Sequence, residues 1–387
     1  MTTAAHRYGE LPPWSPDDLA AIHRLQALGR SVGHHFVGRR LALDLLEVAV
    51  IAREHVLLLG PPGTGKTDLV TRFAAGLGTR PFVRLLTRFT EPSEVFGPVD
   101  VAAFRDGRHA IRTEGMLPEA LIAFLDEIFQ CGSPILNTLL TVMNERVFHH
   151  GRESQPVPLI SLIGASNTLP QDPALVAFAD RFLLRVNVSP VADSHLEELL
   201  EKSFAPHPAE GAGHTWVDHE SLERLGRQVD RVDLNRVTAV YRSLIRELLA
   251  QGVVLSDRRI VRGLRLVAAA AMRRESVRAE PRDLWPLRHI WTDPAHERLV
   301  QESVQRVVEA DGGPSASTTL RAAHHILGEA KLTSRQVSAG ASDAAVENVL
   351  RGLNKLRLEL ESVEPANLTA RDELTTIIDN TLALLRV

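Results

Sequence analysis

A single cysteine, Cys131, stands in the 387 residues. That excludes an internal disulfide and any metal site built from several thiolates, and it fits a reducing compartment. Aromatic residues make up only 5%, so the core must be assembled mainly from Leu, Val, Ile and Ala. No run approaches the roughly 18 apolar residues needed to cross a bilayer. The opening "MTTAAHRYGELPPWSPDDL" also lacks the charged-then-apolar pattern of an export signal. Membrane insertion is therefore not expected, and the chain reads as soluble and cytoplasmic. An excess of positive charge is missing too: the net charge is −4, and no global basic field recruits nucleic acid. Lysine is scarce, with Lys66, Lys202, Lys331 and Lys355 set against forty arginines. A lysine inside a glycine loop stands out for that reason.

Such a loop is present. "LLLGPPGTGKTDLV", Leu57 to Val70, satisfies G-x-x-x-x-G-K-[ST] through Gly60, Gly65, Lys66 and Thr67. A buried-strand pattern precedes it and a helical pattern follows. Glycines let consecutive backbone N–H groups turn inward around an anion, and the helix N-terminus adds partial positive charge. Pro61, Pro62, Gly63, Thr64 and Gly65 form the cradle. Lys66 brings a mobile charge to the outer phosphates, and the Thr67 hydroxyl is a ligand for Mg2+. ATP with Mg2+ is the expected cofactor pair. Hydrolysis needs a metal-holding acid and a group that orients water, and "LIAFLDEI" supplies both at a strand end. Asp126 would hold the hydrated Mg2+ and Glu127 would polarise the attacking water.

Short apolar runs at Val56–Leu59, Phe82–Leu86, Leu121–Leu125, Leu159–Gly164 and Phe182–Val188 read as strands buried on both faces of a parallel sheet, with helices between them. This predicts an α/β three-layer domain over 31–190, preceded by a lead and helix over 1–30 that Ser15-Pro16-Asp17-Asp18 would cap. After Pro190 only helical patterns occur, which predicts an all-α lid at 191–300. A helical C-terminal region, 301–387, follows a linker at 311–319, and its apolar stripe ends as an antiparallel hairpin. Within the α/β domain, "VAAFRDGRHAIR" has Asp106-Gly107 between alternating residues, which predicts a β-hairpin insert near 100–113. That register would place Arg105, Arg108 and Arg112 on one face.

The glycine loop and acid pair, with "FTEPSEVFGPVD" between them and "CGSPILNTLLTVMNERVFHHG" after them, resemble the MoxR family of AAA+ ATPases, most of all its RavA branch. The segments "EPSEVFGP", "LPEA", "FLDEI", "ILNTLL", "NER", "ASNTLP" and "SDRR" occur in the family's order across residues 30–300. The resemblance implies an AAA+ P-loop sandwich followed by a helical lid, and it implies further roles. Asn167 matches the sensor-one amide that holds the lytic water. Arg181 matches the arginine finger that reaches a neighbouring subunit's nucleotide, the alternative being a surface pair with Asp180. Arg258 matches sensor two, with Arg259 beside it as the alternative. Ser256 is a plausible cap that would put either in a first helical turn. Val37 and Gly38 match the segment lining the adenine pocket.

The same resemblance implies a homo-oligomeric ring of six subunits. It also implies a protein substrate and a partner carrying a von Willebrand A (vWA) domain. Three arginines with no aromatic stacking ladder make a poor nucleic-acid surface. Protein remodelling is therefore the leading expectation, with a nucleotide-dependent scaffold and a nucleic-acid translocase as the alternatives. Three His-His pairs lack partners at ligand spacing and point to no transition-metal site, and Cys131 reads as structural.

Overall fold

The computed structural model describes residues 13–105, 110–150, 153–204 and 216–310, together with residues 330, 349, 352–353, 356–357, 374–378 and 381. The chain divides into two compact units, Met1–Gly313 and Pro314–Val387.

The first unit opens with α1 (Pro16–His34), capped as the sequence predicts: the Ser15 side chain accepts the Asp18 N–H at 3.1 Å. Its buried face, Ala21, Ile22, Leu25, Leu28 and Val32, packs on α2 (Arg40–Ala52), itself almost wholly buried. The helix thus contributes one buried face to the core of this unit. Each fully buried Leu or Val here stabilises the fold by about 1.5–3 kcal/mol relative to exposure.

Next come β1 (Val56–Leu59), α3 (Lys66–Gly76), β2 (Phe82–Leu85), α4 (Pro92–Phe96), α5 (Val101–Arg105), β3 (Ile122–Asp126) and α6 (Ser133–Glu145). The domain closes with β4 (Val147–His150), β5 (Glu153–Pro156), β6 (Ser161–Ser166), α7 (Pro173–Ala179) and β7 (Leu184–Asn187). Five of these strands form one parallel sheet in the order β2-β3-β6-β1-β7. All five fall on the apolar runs read from the sequence, but β2, at the sheet edge, is not buried on both faces: Val83 and Leu85 are exposed. The fold is an AAA+ type α/β sandwich with a helical C-terminal part.

The insert differs from expectation. Residues 101–105 are a short helix, opened by the Asp100 carboxylate accepting the Ala102 and Ala103 N–H groups. Its only antiparallel pairing among the described residues is a bridge between Val99 and Ile111. Asp106, Gly107, Arg108 and His109 lie outside the described residues. The alternation that would align Arg105 with Arg112 is broken by this helix. The hairpin that does form, β4–β5, comes after α6 instead.

The lid comprises α8 (Leu196–Phe204), α9 (His219–Gln228), α10 (Asn235–Ala250), α11 (Asp257–Arg273) and α12 (Glu297–Ala310). The last helix crosses residue 300 and packs on α10 and on the 3-10 stretch Pro281–His289. In the second unit, Ala330, Val349, Leu353, Leu356, Leu374 and Ile378 are helical and buried. The linker 311–319 and the turn of the expected hairpin lie outside the described residues.

Candidate functional site

Three adjacent strands, β3, β6 and β1, end at the same edge of the sheet, where doubly wound folds collect their ligands. From β1 the chain turns into the glycine loop. The Gly60 N–H donates to Ser166 O at 3.1 Å, and a β-carbon on Gly60 would sit 2.1 Å from Val188 O. Only glycine fits there. Gly63 and Gly65 both take φ 79, the left-handed region that glycine enters without strain, and Gly65 opens α3. The hydroxyl of Thr64 donates back to Pro61 O at 3.0 Å. Pro61, Pro62 and Gly63 are exposed at the mouth of the loop, as is Thr67.

Lys66 is buried, and its Nζ donates to Gly60 O and Pro61 O, each at 2.8 Å. Burial pulls the ammonium below its ordinary value, Asp126 and Glu127 pull it back up, and Arg39 pushes it down. Asp126, at the end of β3, accepts the Glu127 N–H at 3.0 Å through Oδ1. Glu127 itself lies in the left-handed region at φ 50, ψ 44, an uncommon geometry for a side-chain-bearing residue and one that clusters at functional sites. Its Oε1 accepts from Asn167 Nδ2 at 3.1 Å. Four residues named from sequence, Lys66, Asp126, Glu127 and Asn167, thus converge at one strand edge. Val37 is buried, and Gly38 follows it at φ 68.

Arg181 and Arg258 stand apart from that group. Arg181 follows α7, and its Nη1 donates to Ala177 O at 3.1 Å. Asp180 does not take the role of its surface partner: that carboxylate accepts from Ser256 Oγ at 2.9 Å and lies 3.6 Å from Arg259 Nε. Ser256 caps α11 as expected. Arg258, in the first turn, donates to Asn144 Oδ1 at 2.9 Å. Burial lowers its guanidinium, and the neighbouring Arg181 and Arg262 lower it further.

Arg259 is fully buried and donates to Ile290 O, Phe182 O, Leu183 O and Trp291 O. It ties the lid to the segment just before β7, whereas Arg258 keeps a partly exposed side chain. Arg181, Arg262, Asp180 and Glu54 all act on Arg258. Arg258 therefore lies within electrostatic reach of Arg181.

Arg39, which follows Val37 and Gly38, escaped sequence reasoning. Its guanidinium donates to Thr64 O at 3.3 Å and to Ser189 O at 2.8 Å. No local pattern marks it, because its partners come from distant segments. A second missed cluster is Asp44, Glu47, Arg40 and Arg273, where two acids inside an otherwise apolar helix were a readable signal. Cys131 is buried, its thiol pushed up to about 11 by burial, in keeping with a structural role.

Residues 23–227 match the family described as the MoxR domain in the MoxR-vWA-beta-propeller ternary systems. An uncharacterised protein of Methanocaldococcus jannaschii is 34% identical over 287 residues, 73% of this chain and 74% of that protein. Chaperone MoxR1 of Mycobacterium tuberculosis is 30% identical over 205 residues, 51% of this chain and 53% of its own length. A solved structure of a candidate ATPase from Cytophaga hutchinsonii superposes with a TM-score of 0.60 at 17% identity, covering 76% of this chain and 96% of that one. That last likeness speaks to the fold alone. None of the relatives named here carries the RavA name. With a matched segment spanning more than half its length and relatives matched across nearly three quarters, the chain belongs to the MoxR family of AAA+ ATPases.

Proposed function

We propose that this chain binds ATP with Mg2+ at the shared edge of β1, β3 and β6, hydrolyses it where two protomers meet, and uses the cycle to remodel a protein complex. The observation that carries this reading is the bond from Asn167 Nδ2 to Glu127 Oε1 at 3.1 Å, made beside the Lys66 cradle. A carboxylate held by a neutral amide keeps its second oxygen for water, which is what a general base requires. Lys66 would exchange the carbonyls of Gly60 and Pro61 for phosphate oxygens.

Thr67 and Asp126 offer one hydroxyl and one carboxylate. This all-oxygen, sparse donor set suits Mg2+, a hard ion that keeps several of its waters. Bound there, the ion would neutralise charge on the phosphate oxygens.

Arg181 and Arg258 would serve a neighbouring protomer's nucleotide as a pair. Arg181 lowers the Arg258 guanidinium, and two like charges so placed gain most when a polyanion lies between them. A site split in this way requires a ring, which we take to have six subunits. The family matched is described by ternary systems containing a vWA protein and a β-propeller. Such a partner, not nucleic acid, is the proposed recipient of the work. The broken arginine alternation in the insert and the net charge of −4 weigh the same way.

Glu127→Gln tests the reading. The variant should bind ATP with near-native affinity, release phosphate at less than about 1% of the native rate, and retain its partner in an affinity capture held in ATP. Turnover at the native rate would overturn the assignment of Glu127, and many-fold stimulation of the native chain by DNA or RNA would overturn the choice of substrate.

A further inference from the structure

The segment Phe36–Arg39 is fastened to three parts of the nucleotide site at once. Arg39 Nη2 donates to Thr64 O in the glycine loop at 3.3 Å and to Ser189 O beyond β7 at 2.8 Å. Its Nη1 lies 3.5 Å from Gly38 O. On the other side, Phe36 O accepts from Lys202 Nζ at 3.2 Å, and Lys202 is paired with Glu198 at 2.9 Å on the lid helix α8. The Phe36 ring lies against the turn that opens α3: a β-carbon on Gly65 would be 3.5 Å from its Cε1. One of the chain's four lysines therefore links the lid to this segment, and another, Lys66, feels the charge of Arg39.

A cation beside a phosphate cradle invites the role of a second phosphate ligand. The geometry favours another. The fork of Arg39 is already engaged by carbonyls on two separate segments, and a planar guanidinium bridging two carbonyls fixes their spacing as a flexible ammonium cannot. Charge for the phosphates comes from Lys66, whose donors reach only the loop's own carbonyls.

Resting on the nucleotide reading above, we infer that Arg39 is a positioning residue for the nucleoside half of the ligand. It braces the Val37–Gly38 backbone against the glycine loop at a fixed distance, and Lys202 carries the state of that segment to the lid. Base and phosphates would then be sensed through different residues: the base through Arg39 and Lys202, the phosphates through Lys66.

Arg39→Lys separates the two roles, since it keeps the charge and removes the fork. Binding of ADP and of inorganic tripolyphosphate, each with Mg2+, is measured by calorimetry on the full chain. The expected result is ADP affinity lowered roughly 10-fold, the scale of a lost charge-assisted hydrogen bond, with tripolyphosphate affinity unchanged within about 2-fold. The KM for ATP should rise while kcat holds. Arg39→Gln repeats the measurement should the lysine variant melt early without ligand.

Lys202→Met should leave ADP affinity within about 3-fold and abolish ADP-induced protection of residues 196–204 from hydrogen exchange. Equal weakening of ADP and tripolyphosphate by Arg39→Lys would make Arg39 a phosphate cation and overturn the inference. No change in either ligand, or protection of α8 that persists in Lys202→Met, would overturn it as well. A native chain that binds neither ADP nor tripolyphosphate would remove the nucleotide reading itself, and this inference with it.

Discussion

The two ends of α11 meet the α/β domain in opposite ways. At its start, Arg258 stands beside Arg181 and Arg262, with Asn144 as its hydrogen-bond partner. At its end, Arg273 is sunk between Asp44 and Glu47, pairing with Glu47 Oε2 at 2.6 Å while Arg40 reaches Asp44 at 2.7 Å. The same residue type, one helix apart from end to end, is thus completed by acids at one place and crowded by like charge at the other. The balanced end anchors the lid. The crowded end has a use for an anion that its own chain does not provide. Between them Arg259, held by four carbonyls, shows a third way to bury a guanidinium.

The largest effect should come from the crowded end. Arg181→Ala is expected to lower turnover of the assembled protein by about 10³–10⁵-fold. Mixing it with Lys66→Ala protomers should restore part of that activity, because each variant keeps the half of the site the other lacks. A mixture that stays inactive, or a lone protomer running at full speed, breaks the comparison.

At the balanced end, Arg273→Ala should cost about 3 kcal/mol of stability in urea unfolding, since it strands Glu47 in the interior. A loss near zero would mean the quartet anchors nothing.

Arg258→Ala is expected to slow turnover about 10–100-fold, the worth of one charged hydrogen bond, with little change in stability. It should also be complemented by Lys66→Ala. Complementation of Arg181→Ala but not of Arg258→Ala would assign Arg258 to its own protomer's nucleotide and split the pair.

The smallest effect is a pH dependence. Burial, then the charge of Asp44, pushes Glu47 up to about 7 against the pull of Arg273 and Arg40. Its folded value lies above the unfolded one, so folding favours the protonated acid. The contribution is complete below about pH 4.5 and is lost as pH rises through about 7. The stability of the native chain should therefore fall as pH rises across that window, and Glu47→Gln should flatten the loss. An unchanged pH profile in Glu47→Gln would show that Glu47 is ionised throughout.

Legibility followed how local the cause was. The inner strands of the parallel sheet were readable because burial on both faces leaves a continuous apolar run, as in Val56–Leu59, whereas the edge strand β2 leaves Val83 and Leu85 exposed. The cradle and the Asp126-Glu127 pair were readable because phosphate chemistry dictates residue types at fixed spacing. The α11 cap was readable from Ser256 alone. The β4–β5 hairpin was not, since "HHGRESQP" shows no apolar alternation, and its only fully buried member beyond the turn side is Phe148 on β4. The helix over 101–105 was not readable from the alternation, because Asp100 offers its carboxylate to two amides and starts it. No local rule foretells that Arg259 is the one held by carbonyls from residues 182–183 and 290–291. Arg39 is hidden for the same reason, its partners lying 25 and 150 positions away.

The left-handed backbone at Glu127 carries a consequence for how this site could decay over generations. Glutamate holds φ 50 against its own preference, at a cost of about 1–2 kcal/mol. Asparagine and glycine rest there with less strain. A lineage released from selection for hydrolysis should drift toward those two residues at position 127, becoming sturdier as it falls silent, whereas valine or isoleucine there would be purged for misfolding long before chemistry was consulted.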